Sequence, residues 1–362
     1  MADPSPTDFL TLLRKSGLLA PQEFDAALGI AQKLKSTGAA TYQSGGLAAA
    51  IAAELTQAKL ITRWQANQLL KGQTGFVLQH YCLLSPVGKG GMGHVFKARN
   101  TKDGAIVAIK VMSRKLANNQ TLVNRFRREI RASSLLNSPH IVRTLDAGCV
   151  GKVDFMVMEY VNGDQVDRIA GRIPVMPVAM ACDIVRQAAI GLQHAHDQKM
   201  VHRDLKPGNL IVHWSDNGAG TVRLMDMGLV RLAAEGDERT SVTRAGQVMG
   251  TPDYMSPEQG WDTATVDIRS DIYSLGCTLF RLLTGKVPFP GDNPLQVLMA
   301  RCSRDAPSVR SLRPDIPESV DAIIRRMTVR DPALRFQTPL ELTQALEPFS
   351  APLTLTALQN AL

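Results

Sequence analysis

The sequence has few of the features that would place it outside an ordinary reducing, aqueous compartment. It carries only five cysteines in 362 residues. Cys82, Cys149, Cys182, Cys277 and Cys302 are scattered and form no C-x-x-C pair, which predicts buried free thiols in a reducing cytosol. No stretch approaches the roughly 18 uninterrupted apolar residues of a membrane span; LAAAIAAEL (47–55) is the nearest and is far too short. The start, MADPSPTDF, lacks the basic first segment and apolar centre of a signal peptide. These absences predict a soluble, cytoplasmic protein. With 44% hydrophobic and 20% charged residues, wholesale disorder is also excluded.

The length suffices for two or three domains with buried cores. A net charge of +8 suits phosphate-bearing partners such as nucleotides, nucleic acid or an anionic membrane surface. Residues 8–74 have helical apolar spacing, as in Phe9, Leu12 and Leu13, then Phe24, Ala27 and Leu28. LLRKSGLLAPQEFDAAL (12–28) superposes on ELTQAKLITRWQANQLL (54–70), laying Leu13, Leu18, Leu19 and Leu28 on Leu55, Leu60, Ile61 and Leu70. A duplicated helix-turn-helix unit explains the echo, and chance likeness between Leu-rich helices explains it equally well. TGAATYQSGG (37–46) reads as a flexible connector.

From Tyr81 the texture changes to short β-like runs, YCLLSPV, HVFKAR and IVAIKVM, broken by Gly-containing turns. A helical, arginine-bearing stretch follows at 122–136, then strand-like runs at 141–145 and 155–159. Beyond 175 the pattern is mostly helical, most clearly at 180–195, 271–283, 294–302 and 317–327. A sheet-rich region followed by a helical one predicts an α+β arrangement.

Three segments carry chemistry. VGKGGMGHV sets Gly88, Gly90 and Gly93 at G-x-G-x-x-G spacing, and glycines let backbone N–H groups approach a phosphate chain. A dinucleotide-binding turn would need a helix next, whereas HVFKARN reads as strand. VAIK puts Lys110 on an apolar strand, where a buried ammonium needs a carboxylate or phosphate; Glu129, flanked by Phe126 and Ile130, is the best local candidate. The bland alternatives are a solvated edge lysine and a solvated glutamate. VHRDLKPGNL (201–210) crowds charge between apolar residues, with Val201 and the Leu210, Ile211, Val212 run read as strand pieces flanking a polar turn. There Asp204 could accept a proton from a hydroxyl, Lys206 could neutralise a transferring phosphoryl group, and Asn209 offers an oxygen to Mg2+. Asp226 of RLMDMGLV could bridge such an ion to phosphates.

The ordered set GKGGMGHV, VAIK, Glu129, HRDLKPGN, DMG and MSPE resembles the protein kinase signature over residues 80–348. The LKPxN wording is similar to the serine/threonine branch, and GKGGMGHVFKA with the N-terminal helical block resembles bacterial, planctomycete-like kinases. The resemblance implies a two-lobed kinase fold, with a small antiparallel-sheet N-lobe and a larger helical C-lobe, behind a small all-helical N-terminal region. The chain is thus expected to divide into a helical docking or regulatory region at 1–75, for which a merely stabilising extension is an equal alternative, a kinase domain at 76–348 and a short tail at 349–362. The resemblance implies ATP with Mg2+, or Mn2+ in its place. Val87, Gly88, Gly90, Gly91 and Gly93 would cover the phosphates and Val95 and Ala108 would sandwich the base. Met158 would stand at the back of the pocket, with the hinge at Glu159 to Val161. It further implies a buried Glu258–Arg335 salt bridge, and Asp271 holding the catalytic loop through its backbone.

Some positions depart from the family pattern. Met227 replaces the usual phenylalanine of DFG and can still pack as an apolar group. The surplus HWSDNGAG (213–220) predicts a longer hairpin, and ribose contacts through Asp164 or Asp167 lack the usual neighbouring leucine. None of these removes a catalytic group, so an active serine/threonine kinase is expected, with a nucleotide-binding pseudokinase scaffold as the alternative. Arg203 before Asp204 implies an activation-loop phosphate, with Thr243 favoured, Thr240 and Ser241 as alternates, and Thr251 nearer the substrate. Expected partners are ATP, protein substrates bearing Ser or Thr, a docking partner on residues 8–74 and a second copy of the chain for autophosphorylation. The arginines at 122–136 read as a solvated basic face, since no aromatic interleaving points to nucleic acid.

Overall fold

The computed structural model describes residues 5–36, 46–90, 92–227, 252–261 and 266–362. The chain divides into two compact units, Met1–Arg127 with Leu145–Tyr160, and Arg128–Thr144 with Val161–Leu362.

The first unit opens with α1 (Pro6–Ser16), α2 (Pro21–Ser36), α3 (Gly46–Gln57) and α4 (Arg63–Leu70). Their apolar stripes meet in one core containing Phe9, Leu13, Ala27, Ile51, Leu55 and Leu69, all at most 1% exposed. The offset that lays Leu13 on Leu55 also lays Gly17 on Lys59, and these two residues share a left-handed backbone, with φ 65° and 58°. It lays Ala20 and Glu23 on Thr62 and Gln65. In each pair the later carboxylate or amide oxygen accepts from the earlier backbone N–H, at 2.8 and 2.7 Å. Matching turns and matching caps favour duplication over chance similarity. The connector expected at 37–46 falls, up to residue 45, outside the described residues.

After these helices come β1 (Val77–Leu78), β2 (Tyr81–Gly90), β3 (Gly93–Asn100), β4 (Ile106–Met112), the start of α5 (Gln120–Ser134), β5 (Thr144–Val150) and β6 (Val153–Glu159). Among the described residues, six strands form a sheet in the order β1-β2-β3-β4-β6-β5. Its register sets Val95 opposite Lys110 and Lys110 opposite Met156, while Lys97, Ala108 and Met158 lie across from one another. Strand alternation therefore gathers Val95, Ala108, Lys110 and Met158 on one face. The other face carries Phe96, Ala98, Val107, Ile109, Phe155 and Val157, which pack with Tyr81, Leu83 and Trp64. Each large apolar side chain buried there contributes about 1.5–3 kcal/mol.

The second unit contains the rest of α5, then β7 (Gly163–Gln165), α6 (Val166–Arg172), α7 (Val178–Asp197), β8 (Leu210–Trp214), β9 (Gly220–Leu224), α8 (Pro257–Trp261), α9 (Ile268–Thr284), α10 (Pro294–Ser303), α11 (Glu318–Thr328), α12 (Pro339–Leu346) and α13 (Leu355–Ala361). The helix α9 is buried along most of its length; Asp267 caps its start and left-handed Gly285 ends it. HWSDNGAG forms the extended β8–β9 hairpin, as expected. Its tip also takes the C-terminal segment, through Gly220 N–H to Leu353 O at 2.7 Å and Leu355 N–H to Gly218 O at 2.8 Å.

Two strand expectations fail. The run at 141–145 is not a strand throughout: β5 starts only at Thr144, and Ile141 makes an isolated bridge to Leu224 with its side chain 1% exposed in the helical core. Val201 lies in no strand, because the next two backbone N–H groups are drawn to a carboxylate on α9 rather than to a sheet.

Candidate active site

In the first unit the glycine turn joins β2 to β3, with Gly88 opposite Val95, Lys89 opposite His94 and Gly90 opposite Gly93. Gly91 lies outside the described residues. The glycines differ in why they must be glycine. A Cβ on Gly93 would stand 1.9 Å from the carbonyl oxygen of Val111, so β4 leaves it no room. A Cβ on Gly88 or Gly90 would meet nothing within 4 Å, so packing does not demand glycine there. Val87 is 48% exposed. Lys110 sits on β4, an interior strand, and is buried, which removes the edge-lysine alternative. Glu159 and Val161 are half-buried at the end of β6 and beyond.

In the second unit Glu129 is 3% exposed, while Arg127, Arg128 and Arg131 on the same helix are exposed. Most of the basic face is thus solvated as expected, although Arg125 is half-buried and Arg127 pairs with Asp154 at 2.9 Å, and the glutamate does not belong to it. Residues 202–209 form a pinned loop. His202 and Arg203 donate their backbone N–H groups to the two carboxylate oxygens of Asp271, each at 2.7 Å, and Gln259 donates its side-chain amide to the carbonyl of Arg203 at 2.8 Å. These anchors hold Arg203 at φ 68°, a left-handed conformation costing about 1 kcal/mol for a side-chain-bearing residue. Asp271 is completely buried, and that desolvation raises its pKa although His202, Arg203 and the two N–H donors pull the other way.

Within the loop, Lys206 Nζ lies 3.1 and 2.9 Å from the two carboxylate oxygens of Asp204. Asn209 donates its amide to the Asp204 carbonyl at 2.6 Å and to its carboxylate at 3.1 Å. With the nitrogen so engaged, the rotamer of Asn209 is set and its oxygen is the end left to face a cation. His202 Nδ1 accepts the Asp204 N–H at 3.3 Å, which leaves Nε2 as the donor to Met225 O at 2.9 Å; the Met225 N–H bonds to Asn209 O at 2.9 Å. Those links bring Asp226, itself left-handed at φ 50°, beside the same loop. Asp and Asn tolerate that conformation better than most residues. Met227 is buried in the helical core, where an apolar group was expected. Asp164 lies 3.4 Å from Arg172.

Beneath the loop, Arg335 meets Glu258 in two parallel contacts, at 2.6 and 2.9 Å. Its other N–H groups reach the carbonyls of Val329, Arg269 and Arg330. Burial alone would raise the Glu258 pKa, but Arg335 and the Ser270 hydroxyl outweigh it and hold the carboxyl below its usual value. Sequence reasoning missed His202, Gln259 and Gln165 as anchors of this loop. Gln165 donates to Gly208 O at 3.1 Å, and nothing in the residue type marks either glutamine.

A family model described as the protein kinase domain matches residues 81–347, the stretch that contains this loop, the glycine turn and the interior-strand lysine. The chain belongs to this kinase domain family. Its kinase domain is 36% identical to the serine/threonine-protein kinase PknB of Mycobacterium leprae over 280 residues, covering 75% of this chain and 44% of that protein. It is 34% identical to the serine/threonine-protein kinase PrkC of Bacillus subtilis over 259 residues, covering 71% and 38%. The chain spans about two fifths of the length of the curated relatives it matches. Among solved structures, the PknI kinase domain of Mycobacterium tuberculosis superposes with a TM-score of 0.58 at 26% identity, covering 77% of this chain and 99% of that one. Of the kinase positions predicted from sequence, Thr240, Ser241, Thr243 and Thr251 lie outside the described residues. Among the described residues no helix is long and apolar enough to cross a membrane.

Proposed function

We propose that the chain is a serine/threonine protein kinase that transfers the γ-phosphoryl group of ATP to Ser and Thr hydroxyls of proteins. The observation that carries this is the Asp204, Lys206, Asn209 cluster, held in one geometry by Asp271 and Gln259. Asp204 accepts the proton of the incoming hydroxyl and orients it for in-line attack. Lys206, already paired with Asp204, meets the charge that develops on the transferring group. The N–H groups of the glycine turn and the ammonium of Lys110 hold the phosphates, and Glu129 orients that lysine. Val95, Ala108 and Met158 share a sheet face suited to a flat apolar base, with Glu159 to Val161 as the hinge.

Asn209 and Asp226 offer the hard oxygen donors that Mg2+ or Mn2+ requires, with phosphate oxygens to complete the set. Such an ion supplies neutralisation of phosphate charge. Residues 1–75 would serve as a docking or regulatory module, 76–348 as the kinase domain and 349–362 as a tail. Autophosphorylation in a homodimer at Thr243, or at Thr240 or Ser241, is part of the same proposal. So are a cytoplasmic location and a planctomycete-like affiliation, which rests on GKGGMGHVFKA and the helical block.

The test is transfer from labelled ATP with Mg2+ to the chain itself and to a generic basic protein, beside Asp204→Asn and Lys110→Met. Transfer by the parent chain that both variants lose is the expected result. ATP binding without transfer by the parent would replace the enzyme with a scaffold.

A further inference from the structure

The two helix-turn-helix copies share a turn, a cap and a core, and the second bonds to and packs against the sheet that carries the glycine turn. Strand β1 pairs with β2 only at Tyr81 and Cys82. Past those residues one side of β2 has no strand partner among the described residues, and its pairing with β3 is itself broken by register shifts between Leu83 and Ser85 and between Pro86 and Gly88. A bulge leaves carbonyl groups off the ladder, and buried carbonyls need donors. The second copy provides them. Thr62 Oγ1 donates to Leu84 O at 2.6 Å, and Gln65 Nε2 donates to Leu83 O at 2.7 Å. Gln65 is 3% exposed. Between them, the Trp64 ring packs edge-on to Phe76 at 5.6 Å and tilted against Phe96 of β3 at 5.5 Å.

The first copy holds Ala20, Gln22 and Glu23 at the corresponding positions. Its cap persists through Glu23 without a hydroxyl at 20, an indole at 22 or an amide N–H at 23. In the second copy the Thr62 hydroxyl also accepts from Gln65 N–H at 3.2 Å and Trp64 also packs on the helical core, so these groups join the helical unit to the sheet. They brace β2 and β3 from the face opposite Val95, Ala108 and Lys110, a few residues before Gly88.

We infer that Thr62, Trp64 and Gln65 are positioning residues for the glycine flap: they fix the course of β2 and β3 into Gly88 and Gly93 and so set the affinity for a nucleoside triphosphate. The inference rests on the nucleotide-binding reading proposed above. Gln65 serves two purposes, since its oxygen caps Thr62 while its nitrogen grips Leu83. Gln65→Glu keeps the cap oxygen, as Glu23 does in the first copy, and replaces the donor that reaches Leu83 O and Cys82 Sγ with a buried carboxylate oxygen.

The full chain is assayed for kcat and KM with ATP and for ATP binding by calorimetry, as parent, Gln65→Glu, Thr62→Val and Thr62→Ser. Gln65→Glu and Thr62→Val should raise KM and Kd for ATP about five- to tenfold, the ceiling set by one buried hydrogen bond. They should leave kcat within about twofold, and Thr62→Ser should match the parent. If Gln65→Glu does not fold, the contrast between Thr62→Val and Thr62→Ser decides. A parent that binds ATP while the folded variants bind it equally well overturns the inference alone. A parent that does not bind ATP overturns the site assignment and the inference with it.

Discussion

The glycine turn and the loop at 202–209 are positioned by opposite means. Residues 202–209 are tied from inside the protein: a fully buried carboxylate takes two successive backbone N–H groups, a buried amide takes the next carbonyl, and a histidine links the loop to the residue before Asp226. Among the described residues, no buried side chain ties the backbone of the glycine turn in this way. Its bases are a bulged strand and a neighbour with no room for a side chain at Gly93, and its bracing comes from helices outside the sheet. The proposed function gives that difference a sense: a loop that holds reacting groups in place gains from being built into the core, and a flap that admits a ligand gains from being propped from behind.

That contrast can be broken at several strengths. The largest effect is expected at the loop's reacting group: Asp204→Asn should lower kcat about 10²–10⁴-fold with little change in ATP affinity, measured by steady-state transfer and calorimetry. Asp271→Ala removes no group from the reaction, yet it orphans two N–H donors beneath a left-handed residue. Its kcat should fall by about two orders of magnitude with KM for ATP nearly unchanged. Equal losses in kcat and KM there would show that loop and flap are not positioned independently.

Glu258→Gln should destabilise the folded chain by about 3 kcal/mol at neutral pH, read as a fall of several degrees in Tm, because it leaves buried Arg335 without its counter-charge. The Glu258 carboxyl is held below its usual value in the folded chain. Its contribution is therefore complete above the unfolded value and is lost as pH falls through the folded one. The Tm gap between parent and variant should stay constant down to about pH 4 and close below it. Trp64→Phe is the mildest change: it keeps a ring against Phe96 and should raise KM for ATP by no more than about twofold.

Much of the candidate site was legible in the sequence because its residues sit within a few positions of one another. Asp204, Lys206 and Asn209 share one loop, so their meeting depends on local geometry. The strand alternation that gathers Val95, Ala108, Lys110 and Met158 follows from a period of two once the register is known. What was not legible lies at long range. No property of glutamine announces that Gln259 reaches Arg203 or that Gln65 reaches Leu83, since either could have stayed in solvent. The apolar spacing predicts a helix over 122–136, whereas α5 spans Gln120–Ser134; it starts earlier because Asn119, whose side chain accepts the Leu122 N–H at 3.2 Å, lies outside the apolar pattern. Val201 was misread as strand because apolar side chains around a polar turn look alike whether their backbone joins a sheet or a buried carboxylate. The duplication stayed ambiguous until the backbone angles at Gly17 and Lys59 agreed.

The guanidinium of Arg335 commits every one of its N–H bonds, two to a carboxylate and three to carbonyls of three separate residues. A planar, five-pronged plug of this kind reports on shape more than on valence. Lysine at that position would preserve the positive sign yet strand most of the oxygens that converge there, so the site selects for a particular outline and not merely for a cation.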